Sequence, residues 1–113
     1  MDDAAFDAFC LSLPAARMDS QWEGDRVYKI GPKMFAVQGS DGGCSFKAND
    51  LAFEMLTTEG PGKPAPYLAR AKWVYLASPS HLPAEDLQAY LRHAHELVAA
   101  KLTRAQRREL GLD

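Results

Sequence analysis

RVYKIGPKMFAVQGSDGGCSFK, residues 26 to 47, is the most strongly patterned stretch of this sequence. Three short apolar runs, Val27 to Ile30, Met34 to Val37 and Cys44 to Phe46, alternate with breakers at Gly31-Pro32 and at Gly39 to Gly43. Glycine reaches positive φ without steric cost, and proline cannot donate to a central ladder. The breakers therefore read as turns and the runs as strands of an antiparallel meander at the centre of a sheet. Strict alternation sets Tyr28 and Ile30 on one face against Val27 and Lys29, and Phe35 and Val37 against Met34 and Ala36. Lys29, Lys33 and Lys47 then project from the sheet or its rim.

Toward the N-terminus, Phe6, Phe9, Cys10 and Leu13 recur at helical spacing, and Pro14 ends the helix. Asp2, Asp3 and Asp7 lie at its start, where carboxylates complement the helix dipole. Arg17 to Trp22 reads as a first, weaker strand with Trp22 as a core anchor, and Glu23-Gly24-Asp25 as the turn into the meander. Beyond the meander, Asn49 or Asp50 is a suitable N-cap for a helix to about Thr58, with Leu51, Ala52, Met55 and Leu56 inward. Glu59 to Pro66 holds three prolines and two glycines, so it is expected as a constrained extended loop, neither helix nor central strand. Trp73 to Leu76 is the last expected strand. Pro83 opens a helix whose buried stripe is Leu87, Leu91, Ala94, Val98 and Leu102, and Thr103 to Gln106 fits a capping box for a short terminal helix. Lys101, Arg104, Arg107 and Arg108 would line a basic stripe there. The fold class expected is α+β: one compact domain over residues 1–113, an antiparallel sheet of about five strands flanked by N- and C-terminal helices.

Composition narrows the class. A chain of 113 residues with 47% hydrophobic and 25% charged residues is ordinary globular material, and folding should remove roughly two-thirds of the surface the unfolded chain exposes. No apolar run reaches the length of a membrane span, and the acidic start MDDAAFD lacks the basic region of a signal peptide, so a cytoplasmic location is expected. Cys10 and Cys44 show no paired spacing and read as reduced core thiols. The net charge of −2 is unevenly spread: residues 1–25 carry six acids and one base, residues 26–72 four acids and seven bases. The middle segment is the basic one, and a local basic patch can bind phosphate in a protein that is acidic overall.

Catalytic and metal motifs are not evident. His93 and His95 point about 200° apart on a helix, His81 stands alone, and all three are expected at the surface or an interface. Gly62-Lys63 lacks both the upstream glycine and the following Ser or Thr of a phosphate loop. No enzyme activity, cofactor or metal is expected. The segment after the Pro-rich loop brings Tyr67, Leu68, Arg70 and Lys72 beside the sheet. It would either stack bases and hold phosphates or serve as a structural flap whose Trp73 fills the core.

Read together, Lys33-Met34-Phe35-Ala36, Ser45-Phe46-Lys47, Pro64-Ala65-Pro66-Tyr67 leading to Trp73-Val74, and Leu82-Pro83 opening a helix with Leu87, Leu91 and Leu97 resemble the MmcQ/YjbR family of small bacterial proteins. The likeness runs in order over about residues 3 to 103, departing at Ala94-His95, where relatives often carry Ser-Tyr. It implies a frataxin-like (CyaY-like) α+β fold and, from the family's description as double-wing, DNA binding. On that reading Lys29, Lys33, Lys47, Lys63, Arg70 and Lys72 contact phosphate and DNA is the expected partner of a monomer. Two alternatives are a protein-binding adaptor, marked by an exposed aromatic patch, and a frataxin-like cation binder through Asp2, Asp3 and Asp7.

Overall fold

The computed structural model describes residues 1–21, 24–66 and 68–112. The expectations placed on Trp22, Glu23 and Tyr67 lie outside the described residues. Helix α1 (Asp3–Ser12) leads into four meandering strands, β1 (Ala16–Gln21), β2 (Asp25–Ile30), β3 (Lys33–Gln38) and β4 (Cys44–Lys47). Helix α2 (Asp50–Thr58), the two-residue strand β5 (Lys63–Pro64), strand β6 (Trp73–Leu76), helix α3 (Ala84–Ala99) and helix α4 (Arg104–Glu109) follow. All pairings are antiparallel, in the order β1-β2-β3-β4-β6-β5. The sixth strand is the part of the expected extended loop that reaches β6. Its proline is tolerated because it lies at an edge.

Helices α2 and α4 begin as the sequence predicts, Asp2 adds a cap to α1, and Pro83 is the N-cap of α3 instead of its first residue. Asp2 caps α1 by accepting from the Ala5 N–H at 2.8 Å, Asn49 caps α2 through Ala52, and Thr103 with Gln106 forms a reciprocal capping box on α4. Helices α1 and α3 pack against the sheet. Phe6, Cys10, Tyr28, Ile30, Phe35, Phe46, Val74, Leu76, Leu87 and Leu91 form the core between them. Both cysteines are free and buried as expected. Burial raises both thiols, Cys44 to about 12, so they persist as inert apolar groups.

Four expectations are corrected. The β2–β3 ladder slips by one residue between Tyr28 and Lys29, pairing Tyr28 with Ala36 but Lys29 with Met34. The extra residue is Phe35, so Phe35 and Ala36 are both buried on the helix side while Val37 faces the other way. On α2, Leu51 and Met55 are 68% and 50% exposed, because the helix turns Ala52, Phe53 and Leu56 to the sheet instead. His95 is buried: its Nε2 lies 2.7 Å from the Pro14 carbonyl, which can only accept, and its ring meets the edge of Phe35 at 5.4 Å. Trp73 is buried but not in the helix-side core, since it stands opposite Lys47 on the other sheet face, where Ala65 donates to its carbonyl.

Phe35 is the residue through which the bulge joins the sheet to α3. Phe35→Ala should cost about 3–5 kcal/mol of stability in urea denaturation, the usual range for emptying a buried aromatic site. A loss under about 1 kcal/mol would mean that the bulge, not the ring, carries this contact.

Candidate nucleic-acid interface

The meander brings lysines that are far apart in sequence to one end of the sheet. Lys47 closes β4 opposite Trp73, and Lys72 immediately precedes that tryptophan. The Ala48 N–H donates to the Lys72 carbonyl at 3.0 Å, and Lys47 Nζ donates to the carbonyl of Ala71. Lys72 ends a turn of 3-10 helix (Ala69–Ala71) in the left-handed conformation, φ 63°, which costs a non-glycine residue about 1–2 kcal/mol. Its ammonium lies 5.0 Å from the centre of the Phe53 ring, a cation–π contact that steadies the side chain. Lys101, one residue before the buried Leu102 at the end of α3, completes the group. Partial burial, and then the charges of Lys101 and Lys72, hold the Lys47 ammonium below the ordinary lysine range, while Asp50 works in the opposite direction. Lys47 therefore feels the charges of two other lysines at this end of the sheet.

The remaining cations expected at a site are distributed differently. Lys33 is exposed at the start of β3, beside the Gly31 turn and at the same end of the sheet as Lys47. Arg70 is exposed in the 3-10 turn before Lys72. Lys29 lies on the open face opposite Arg17, and its side chain, 19% exposed, is 3.2 Å from Asp19. Arg17 binds the same carboxylate at 2.7 Å and the Gly31 carbonyl at 2.8 Å, and these two cations hold Asp19 below the usual carboxylate range. Lys63 stands opposite Tyr75 on the short edge strand, toward the other end of the sheet, where the Tyr75 hydroxyl donates to Asp41 at 3.1 Å. The geometry therefore gathers Lys33, Lys47 and Lys72, sets Lys29 in an ion pair, and places Lys63 apart. Lys101 is an addition: helical spacing assigned it to a stripe with Arg104, Arg107 and Arg108, and only the return of α3 over β4 brings it to Lys47.

Acids occupy the opposite end. Asp3 and Asp41 line a groove with Gly24, Arg26 and Gln38 beside the β3–β4 turn. Of the three carboxylates considered for a cation, Asp2 is the helix cap, and Asp7 accepts from the Tyr28 hydroxyl at 2.7 Å with Arg26 at 3.2 Å. Burial and then this carboxylate push the Tyr28 hydroxyl far above its ordinary pKa, so it stays a donor. Among the described residues no three His, Cys, Asp or Glu side chains converge as metal ligands. None of their helices is long and apolar enough to cross a membrane.

Because the folded-state pKa of Lys47 is depressed, its charged form is disfavoured by folding. The penalty is present throughout neutral pH and fades as pH rises past the depressed value toward the unfolded value near 10.5. Lys47→Met should accordingly leave the melting temperature at pH 7 unchanged or higher. A clear fall would show that the hydrogen bond to Ala71 outweighs the cost of crowding the charge.

A chain with this order of elements has known relatives. The crystal structure of Deinococcus radiodurans protein DR2400, with the family-model domain DUF419, superposes with a TM-score of 0.84 at 27% identity, covering 100% of this chain and 91% of that one. The search of curated proteins gave no match. The model of the YjbR family matches residues 11–97, which span the sheet, α2 and most of α3. The chain belongs to the YjbR family.

Proposed function

We propose that this protein is a non-enzymatic DNA-binding protein that holds backbone phosphates at the basic end of its sheet. Lys47, Lys72 and Lys101 make the phosphate contacts, with Lys33 and Arg70 at the margin. The observation that carries this reading is that Lys47, bound to the Ala71 carbonyl next to Lys72, feels the charges of both Lys72 and Lys101 in a chain whose net charge is −2. Folding stability gains nothing from crowding like charges, and the strained φ of Lys72 adds a further cost. A polyanion would relieve both the repulsion and the partial desolvation of Lys47. The acidic end, carrying Asp2, Asp3 and Asp41, would repel the same polyanion and so orient the protein on it. The double-wing description that the family resemblance carries supports the same partner.

A protein-binding role draws support from a separate feature, the exposed Leu51 and Met55 side by side on α2. None of the exposed large apolar side chains among the described residues is aromatic.

Fluorescence anisotropy of a labelled duplex and a labelled single strand, at low and near-physiological salt, separates these readings. Binding should weaken steeply with salt, and Lys72→Ala and Lys101→Ala should each lower the slope of log K against log salt by about 0.9. Lys63→Ala should leave it unchanged. Absence of binding at either salt by folded protein would discard the DNA reading in favour of the α2 surface.

A further inference from the structure

The two edges of the sheet differ in chemistry. One is closed by β5, only two residues long, and Pro64 has no N–H to offer another strand. The other is β1, six residues paired with β2 alone. It contains no proline or bulge, and its charged side chains, Arg17 and Asp19, are of opposite sign. Among the described residues, no backbone group of residues 17–21 bonds to anything outside the β1–β2 ladder. Antiparallel strands aim their polar groups alternately to either side, so half of those on β1 face outward. On the helix side Met18 is half-buried, and α1, packed against β1, adds half-buried Phe9 and Leu13 and exposed Leu11.

We propose that β1 pairs antiparallel with β1 of a second copy about a two-fold axis at Met18, joining two six-stranded sheets into one and making the protein a dimer. In this register Arg17 stands directly opposite the second copy's Asp19, and Asp19 opposite its Arg17, on the open face. Met18 meets its own counterpart on the helix side, with Ala16 opposite Ser20. Centring the axis on Arg17 or on Asp19 instead would set like charges face to face, which antiparallel pairs disfavour. Each Asp19 is already held by Lys29 and by its own Arg17, and a carboxylate has acceptor sites left for a further guanidinium. The pairing satisfies the outward backbone groups of β1 and covers Met18, whereas the β5 edge has no such capacity.

The test is sedimentation equilibrium of the whole chain over a dilution series, with thermal melting as the check on folding. Wild type should sediment at twice the mass of one chain. Arg17→Asp should be monomeric, since it sets Asp against Asp19 across the seam, and the exchanged double variant Arg17→Asp with Asp19→Arg should dimerise again. Hydrogen exchange on the wild-type protein gives a reading that needs no variant: the outward-facing amides of residues 17–21 should lose protection on dilution, while those directed to β2 and those of β3 keep it. A monomer at every concentration overturns the proposal, as does a dimer that Arg17→Asp leaves intact. A folded double variant that stays monomeric overturns it equally.

Discussion

The one-residue slip between β2 and β3 is the constraint on which the rest of the structure depends. Had the pairing of Tyr28 with Ala36 continued without it, Phe35 would lie opposite Lys29 on the open face, and Met34 would lie opposite Ile30 on the helix side. The bulge exchanges them. Phe35 reaches the core, where it touches Tyr28 and gives His95 a ring edge to pack on, and His95 in turn binds the carbonyl of Pro14. One unpaired residue in β3 thus ties the sheet to α3 and α3 to the end of α1. The cost of interrupting the ladder is offset by burial of an aromatic side chain, worth about 2–3 kcal/mol.

That arrangement also fixes where charge goes. The meander runs its turns alternately to the two ends of the sheet, so the Gly31 turn and the end of β4 lie together, and the turn at Gly39 to Gly43 lies opposite with Asp41. Cations from β4, the segment before β6 and the end of α3 meet at the first end. Carboxylates from the start of α1 and the β3–β4 turn meet at the second. Summed, the two nearly cancel, which is why net charge is a poor guide to the surface of this protein. Between them the open face pairs Arg17 and Lys29 with Asp19, adding little to the field at either end.

Two of the histidines illustrate how position outweighs residue type. His95 follows Leu87 and Leu91 at successive steps of four, so its place on the buried stripe of α3 was open to recognition once a polar residue was allowed there. Its burial is tolerated because Nε2–H donates a hydrogen bond to the Pro14 carbonyl. His93, two residues earlier, lies 3.0 Å from the Asn49 side chain and stays partly exposed. The difference is a rotation about the helix axis, not a difference in chemistry.

By itself the sequence determined the element order, because period-two and period-3.6 patterns, caps and breakers are local properties carried by neighbouring residues. It determined the helix starts at Asn49 and Thr103, the positions of the turns, and the family likeness. Only the tertiary structure decided the bulge at Phe35, since a slip in register is chosen by the core a strand meets and not by its own alternation. The face of α2 was also decided there: Leu51, Ala52, Phe53, Met55 and Leu56 offer apolar surface on most sides, and the sheet selects Ala52, Phe53 and Leu56. The place of Lys101 beside Lys47 was invisible in a chain where they lie 54 positions apart. Proximity between distant residues is a consequence of packing, and it exists only after the strands have paired and α3 has folded back across them.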